Sequence, residues 1–336
     1  MEKRNVTVQR YIPWYSDDYR VSSKLSDKKD YMALTPRDIY TELTSNIVGQ
    51  DEACRKVAVM MYQHLRGHRF VGLLAGPTGS GKSFIAENLK KLFPKIVYMR
   101  DISNVTNDGW SGSKKVISLF RGIEYPETHD TEYEPVIFLD ECDKLFTPKH
   151  TSSGDNVSET VQGEFLSMIQ GTEIAVPATD ERNGIEFINT SAISFLFAGA
   201  FDKKAREIAE KESGPQMGFA SGMRKPVPYD REIVRTDIME AGCISELCGR
   251  IQKIVNLNPV SEDVFRRMLD ETDRGPVHEL MEEFCIPISI SNARKDEMAH
   301  EAFQSGLGIR GIKNMLREYI DDMVWNDCGS KVLEIA

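Results

Sequence analysis

The run Gly76-Pro77-Thr78-Gly79-Ser80-Gly81-Lys82-Ser83 constrains this chain more than any other stretch. It fits the pattern G-x-x-x-x-G-K-[ST]. The apolar segment Phe70-Val71-Gly72-Leu73-Leu74-Ala75 precedes it and reads as a buried strand, and Phe84 to Leu92 follows with helical spacing. Strand, glycine loop and helix in that order is the setting in which such a run cradles phosphate. Glycines let the main chain curl so that successive N–H groups point inward, and the new helix offers its positive end. Lys82 is then expected to reach the β- and γ-phosphates of a nucleotide, and the Ser83 hydroxyl to ligate Mg²⁺. Phe84, directly after Ser83, is counted with the nucleotide-binding residues.

A second stretch completes the first. Pro135-Val136-Ile137-Phe138-Leu139-Asp140-Glu141 puts two acids at the end of an apolar run. In open α/β sheets the carboxyl ends of strands are where ligands sit. Asp140 is expected to hold Mg²⁺ through water, and Glu141 to orient and deprotonate an attacking water as general base. Such a strand alone reads equally as one capped by solvated acids. Some sixty residues after a phosphate loop it reads as the second half of a nucleotide site.

Composition fits a globular protein with a sizeable core: 336 residues, 40% hydrophobic and 28% charged. The longest apolar runs, such as Ile193–Phe201, are too short to span a bilayer. The first residues lack the apolar core of a signal peptide. The net charge of −10, with 52 acidic against 42 basic residues, disfavours sequence-independent nucleic-acid binding. Six cysteines at 54, 142, 243, 248, 285 and 328 form no C-x-x-C pair. That suits a reducing cytoplasm rather than a zinc or disulfide framework.

Along the chain, residues 1–32 form a polar arm with Tyr11, Trp14, Tyr15, Tyr19 and Tyr31 but no clear period. Thr35 and Pro36 read as N-cap and first residue of a helix. Helices are expected from Asp51 to about Gly67, over Lys114–Arg121, and over Glu159–Gln170 with Ser158 as cap. Strands are expected at Ile96–Met99 and Ile193–Phe201. A smaller unit begins at about Asn258. It carries helices at Ser261–Glu271, Gly275–Phe284, Asn292–Phe303 and Ile309–Trp325, and strands at Ile286–Ile290 and Val332–Ile335. Pro287 confines the first of these strands to an edge.

The order of motifs resembles an AAA+ ATPase of the ClpX/HslU unfoldase family, closest to ClpX, from about residue 33 to the end. Ile47-Val48-Gly49-Gln50 precedes the first helix, and Gly109-Trp110-Ser111-Gly112 follows the second strand. Gly199-Ala200-Phe201 ends a strand, and Met217-Gly218-Phe219 sits in a Gly/Pro-rich loop. Asp237 to Ile251 reads as a helix ending Glu-x-x-Gly-Arg at Arg250, and Gly308-Ile309-Arg310 opens the last long helix.

The resemblance implies an α/β fold, a parallel sheet flanked by helices, with a small α+β domain behind it. The arm is 1–32, the large ATPase domain 33–257 and the small domain 258–336. Ile47 and Val48 would wall the adenine of ATP. Arg250 would be a finger reaching the γ-phosphate of a neighbouring subunit, and Arg310 would touch the nucleotide from the small domain. Trp110, where the family usually carries Tyr, would grip unfolded polypeptide in the pore of a homo-hexamer. Met217-Gly218-Phe219 would dock a ClpP-like peptidase. The four-cysteine zinc domain of ClpX has no counterpart in the arm. AAA+ proteins usually place a polar residue near the end of the fourth core strand, where Ala198-Gly199-Ala200 offers none. The implied function is ATP-dependent unfolding and threading of protein substrates, without a membrane. The alternatives are remodelling without a peptidase, a DNA-acting motor, or a nucleotide-gated scaffold.

Overall fold

The computed structural model describes residues 31–103, 105–106, 114–126, 132–150, 154, 156–177, 184–212, 229, 231–270, 275–326 and 332–335. Tyr31–Ala33 form a 3₁₀ turn. From Thr35 onward the elements run α1 (Pro36–Thr44), α2 (Asp51–His64), β1 (Val71–Ala75), α3 (Lys82–Leu92), β2 (Val97–Asp101), β3 (Val105–Thr106) and β4 (Lys114–Lys115). A 3₁₀ turn, Val116–Phe120, leads to β5 (Val136–Asp140), α4 (Cys142–Phe146), α5 (Val157–Gln170), β6 (Glu173–Pro177), β7 (Ile185–Asn189) and β8 (Ser194–Gly199). Then come α6 (Asp202–Glu212), α7 (Arg235–Glu240), α8 (Ser245–Arg250) and β9 (Lys253–Asn256). The chain continues through α9 (Glu262–Leu269), α10 (Pro276–Phe284), β10 (Ile288–Ile290), α11 (Asn292–Ser305), α12 (Ile309–Asn326) and β11 (Leu333–Ile335).

Five of these strands form one parallel sheet in the order β2-β5-β8-β1-β9. Parallel strands joined by helices are covered on both faces and so read as continuous apolar runs. All of β1 and all of β8 is buried, and β5 is buried up to Asp140. This placement puts the ends of β1, β5 and β8, the strands richest in apolar residues, side by side in the middle of the sheet. Phe195 and Phe197 of β8 anchor the core through ring contacts with Phe120, Phe146 and Phe165.

Local signals explain the element starts. Thr35 and Asp38 form a reciprocal capping box, with Pro36 at the first helical position. Three expectations need correction. The helix expected over Lys114–Arg121 is a short strand followed by a 3₁₀ turn. Val116, Leu119 and Phe120 are buried there, but their spacing spans a single turn, too short to set a helix. Ser158 does not cap α5. It lies inside the helix, buried, and its hydroxyl donates to the Leu145 carbonyl. The helix read over Asp237–Ile251 is two helices. Gly242, at φ +107°, breaks it, because a Cβ there would meet the Phe146 carbonyl oxygen at 2.2 Å.

A second, separate core gathers Phe265, Leu280, Met298, Ile312, Leu316 and Leu333. Strands β10 and β11 pair in parallel, and Pro287 serves that pair only through its carbonyl, which accepts from Leu333 N at 2.8 Å. Between the two cores runs the segment from Ile251 to Phe265, although Val48 also packs against the second. Buried Gln50 ties that segment to the phosphate loop: the side-chain amide donates to the Ser80 and Asn258 carbonyls at 3.2 and 2.8 Å, and its oxygen accepts from Asn258 N at 2.9 Å. Among the described residues no helix is long and apolar enough to cross a membrane.

Candidate nucleotide site

The loop after β1 turns on two glycines in the left-handed region, Gly79 at φ +80° and Gly81 at φ +100°. Gly81 caps α3 without a side-chain bond, and the first turn of that helix holds no acid. Its leading N–H groups are therefore not claimed by a side-chain cap, which is the arrangement a phosphate needs. Lys90 and Lys91 in the last turn complement the other end of the dipole. Ser80, also expected to contact nucleotide, does not line the cavity described below; its Oγ is buried without a hydrogen-bond partner, a cost of about 1–3 kcal/mol.

Lys82 is 8% exposed. Its ammonium donates to the Gly76 and Pro77 carbonyls at 2.7 and 2.8 Å. Burial pulls it below the usual lysine range, while Asp140, Asp202 and Asp143 pull the other way. A desolvated ammonium held only by carbonyls gains strongly from an anionic oxygen. The Ser83 hydroxyl donates to Asp140 Oδ2 at 2.6 Å, and Asp140 Oδ1 accepts from Glu141 N at 2.9 Å. This hydroxyl and carboxylate are hard oxygen donors. They fit Mg²⁺, which takes one or two protein ligands and completes its shell with water and phosphate.

Glu141 leaves the end of β5 at φ +62°, an unusual backbone for an acid. Its carboxylate meets the Lys144 ammonium at 2.7 Å. Across the site, β8 ends at Gly199, whose added Cβ would meet Phe201, Cys142 and the Asp143 amide at 2.8, 3.0 and 3.1 Å. Glycine is required there by the close approach of the turn after β5. These groups line one cavity of about 380 Å³, which also takes Phe84 from α3 and Arg310 and Lys313 from α12. Of the four non-glycine residues with positive φ among the described residues, Glu141 lines it, Phe201 lies between the lining residues Ala200 and Asp202, and Tyr229 donates to Asp202. Strain of that kind concentrates at functional sites.

The small unit presses directly on the phosphate loop. A Cβ on Gly308 would meet Gly79 Cα and O at 2.5 Å, so the two main chains touch. Lys313 lies over the Phe84 ring at 5.4 Å, and Lys91 and Lys313 both reach Glu279, at 3.6 and 2.5 Å.

The structure therefore brings Thr78, Gly79, Gly81, Lys82, Ser83, Phe84, Asp140, Glu141 and Arg310 into one cavity. Gly76 and Pro77 support Lys82 from beneath. Ile47 and Val48 do not line this cavity; Ile47 is buried and Val48 packs against the small-unit core. Arg250 lies elsewhere. It is exposed and ends α8, three residues before β9, whose Lys253 pairs with Gly72 near the start of β1. The phosphate loop leaves the other end of β1, roughly 15 Å away at about 3.3 Å per residue. Arg69 occupies the matching position before β1 and donates to the Ser191 carbonyl at 2.6 Å and to Ile169 O. Burial and the neighbouring Arg250 hold its guanidinium below the usual range. The readings made on Gly109, Trp110, Ser111 and Gly112, and on Met217, Gly218 and Phe219, lie outside the described residues.

Sequence reasoning missed Gln50, Asp202 and Lys313. Gln50 stood in a noticed run, but only its apolar neighbours drew a role. Asp202 directly follows the noticed run Gly199-Ala200-Phe201 and Lys313 lies one turn after Arg310, but neither drew a role of its own.

The fold and this loop define an AAA ATPase. The profile of the ATPase family associated with various cellular activities matches residues 72–200, the stretch from β1 to the end of β8. Over 86% of its length the chain is 25% identical to the ATP-dependent Clp protease ATP-binding subunit ClpX of Porphyromonas gingivalis, and covers 77% of that protein. The ClpX proteins of Bacteroides fragilis and Bacteroides thetaiotaomicron are each 24% identical over 86% of the chain, which covers 76% of each. The chain carries an AAA ATPase domain over residues 72–200, is similar to ClpX proteins over most of its length, and hydrolyses ATP.

Proposed function

We propose that this ATPase unfolds or remodels other proteins in a ring of identical subunits. The observation that carries the reading is the separation of parts. Lys82, Ser83, Asp140, Glu141 and Arg310 share one cavity, while Arg250 stands at the opposite end of the sheet. An arginine finger so placed serves a nucleotide only in a neighbouring copy. A heterologous contact of that kind forms a ring when its rotation closes, and a closed ring of six is what the ClpX resemblance implies.

In this reading Lys82 and the loop amides hold the β- and γ-phosphates of ATP. Ser83 and Asp140 hold Mg²⁺, which would neutralise charge developing on the transferred phosphoryl group. Glu141 accepts the proton of the attacking water. Arg250 of the adjacent subunit meets the γ-phosphate with a planar, permanently charged group. Arg310 carries the change at the phosphate into the small unit, and Ile47 and Val48 border the base. Trp110 between glycines grips polypeptide by contact area rather than by sequence. Met217-Gly218-Phe219 supplies an apolar plug for a ClpP-like peptidase, in a cytoplasmic setting that keeps thiols reduced.

The test is ATP-dependent loss of fluorescence from a folded, tagged reporter protein, with phosphate release measured in the same sample. Wild type is expected to unfold the reporter, and Glu141→Gln to lose both signals. Trp110→Ala is expected to lose the unfolding signal. Trp110→Ala that unfolds the reporter at the wild-type rate removes the pore role. Phosphate release without unfolding of any offered reporter favours a peptidase-independent role with one dedicated partner.

A further inference from the structure

The end of β8 cannot carry a polar side chain at Gly199, for the steric reason given above, and Ala200 has none to offer. The next turn supplies a carboxylate instead. Asp202, the first residue of α6, lines the nucleotide cavity. Its Oδ2 accepts from the Thr78 hydroxyl in the middle of the phosphate loop at 2.8 Å. Its Oδ1 accepts from the Tyr229 hydroxyl at 2.7 Å. The same Tyr229 hydroxyl reaches the Ala200 carbonyl, so its single proton is shared between strand end and carboxylate. Tyr229 is held at φ +65°, a backbone that an aromatic residue adopts only when its surroundings impose it. Burial, then the Asp202 bond, push its phenol well above the usual range, so it remains a donor.

We propose that Asp202 is a positioning residue of ATP binding and hydrolysis. It fixes the phosphate loop through Thr78 and is itself fixed by Tyr229. A carboxylate facing a polyphosphate is electrostatically unfavourable. Its retention here is explained by what both its oxygens hold. A loop preorganised in this way meets its ligand without the entropy cost of ordering. The inference rests on the nucleotide-site reading, which the same experiment checks through the wild type.

The experiment is titration of the full chain with Mg²⁺-ADP, alongside kcat and KM for ATP and a thermal melt for each variant. Asp202→Ala is expected to weaken ADP binding about tenfold, in the range for losing a hydrogen bond to a charged group. Asp202→Asn keeps an acceptor for Thr78 and removes the charge that opposes phosphate, and is expected to restore binding. Tyr229→Phe and Thr78→Val are each expected to weaken ADP binding, and the double variant by no more than the larger single effect, because both act through one carboxylate. If Asp202→Ala melts far below the wild type, Tyr229→Phe and Thr78→Val carry the test. Tighter ADP binding in both Asp202 variants would overturn the proposal, leaving Asp202 a repulsive charge only. So would equal weakening in both that vanishes without magnesium, which would make Asp202 a metal ligand. Additive effects of Tyr229→Phe and Thr78→Val would also overturn it. A wild type that binds no ADP would overturn the nucleotide-site reading and this inference with it.

Discussion

Glu141 and His64 show how single residues are constrained by what they touch. Glu141 combines a left-handed backbone with an ion pair to Lys144 whose two side chains are 41% and 56% exposed. A pair so open to water contributes little stability, so the strain is not explained by folding. Its placement beside Asp140 and Lys82 explains it. His64 is the reverse case, buried and remote from the cavity. Its ring meets Ser194 Oγ and the Glu134 carbonyl, both at 2.8 Å. The carbonyl can only accept, so Nε2 carries the proton and Nδ1 accepts from Ser194, whose oxygen accepts from Phe70 N at 2.9 Å. Burial lowers the imidazole below its ordinary value, and the Glu134 bond only partly offsets this. The unfolded chain therefore binds the proton more readily than the folded one below pH of about 6.5. Stability from this group is full above that pH and falls as the solution is acidified through it. Thermal midpoints measured from pH 8 to 5 are expected to drop below about 6.5 in the wild type, and less steeply in His64→Gln. The phosphate-loop lysine and the paired acids were legible in the sequence because each sits in a run whose spacing has one chemical use. Asp202 and Gln50 were not. A lone acid opening a helix and a lone amide before one have many uses, and only long-range contacts select among them.

At the scale of elements, β1, β5 and β8 were legible because a central parallel strand must be apolar on both faces. The two short helices before β9 were read as one, because nothing local to Gly242 announces the Phe146 carbonyl that packs against it. The most consequential element contact was equally silent. Gly79 of the phosphate loop and Gly308 at the start of α12 touch backbone to backbone, both with positive φ. Neither neighbour is a flexible side chain that could yield. Gly308→Ala is expected to force the two units apart at the cavity and weaken ADP binding, while the separate core around Phe265 and Ile312 keeps the small unit folded. Titration with ADP and circular dichroism check the two halves of that expectation. Unchanged affinity would mean that the contact does not shape the cavity.

At the scale of the whole molecule, the proposed function makes the site incomplete within one chain. Cavity and finger lie at opposite ends of the sheet, so the account requires that one copy completes another. Under that proposal hydrolysis is a property of the assembly, and a change at one phosphate moves the next subunit. The most direct test mixes two inactive variants. Lys82→Ala retains the finger and loses the loop lysine; Arg250→Ala retains the loop and loses the finger. Each alone is expected to release almost no phosphate. Mixed in equal amounts, they are expected to regain hydrolysis at on the order of a quarter of the interfaces of a heterologous ring, where an intact loop meets an intact finger. A mixture as inactive as its components, although the two variants co-assemble, would contradict the claim that Arg250 completes a neighbour's site.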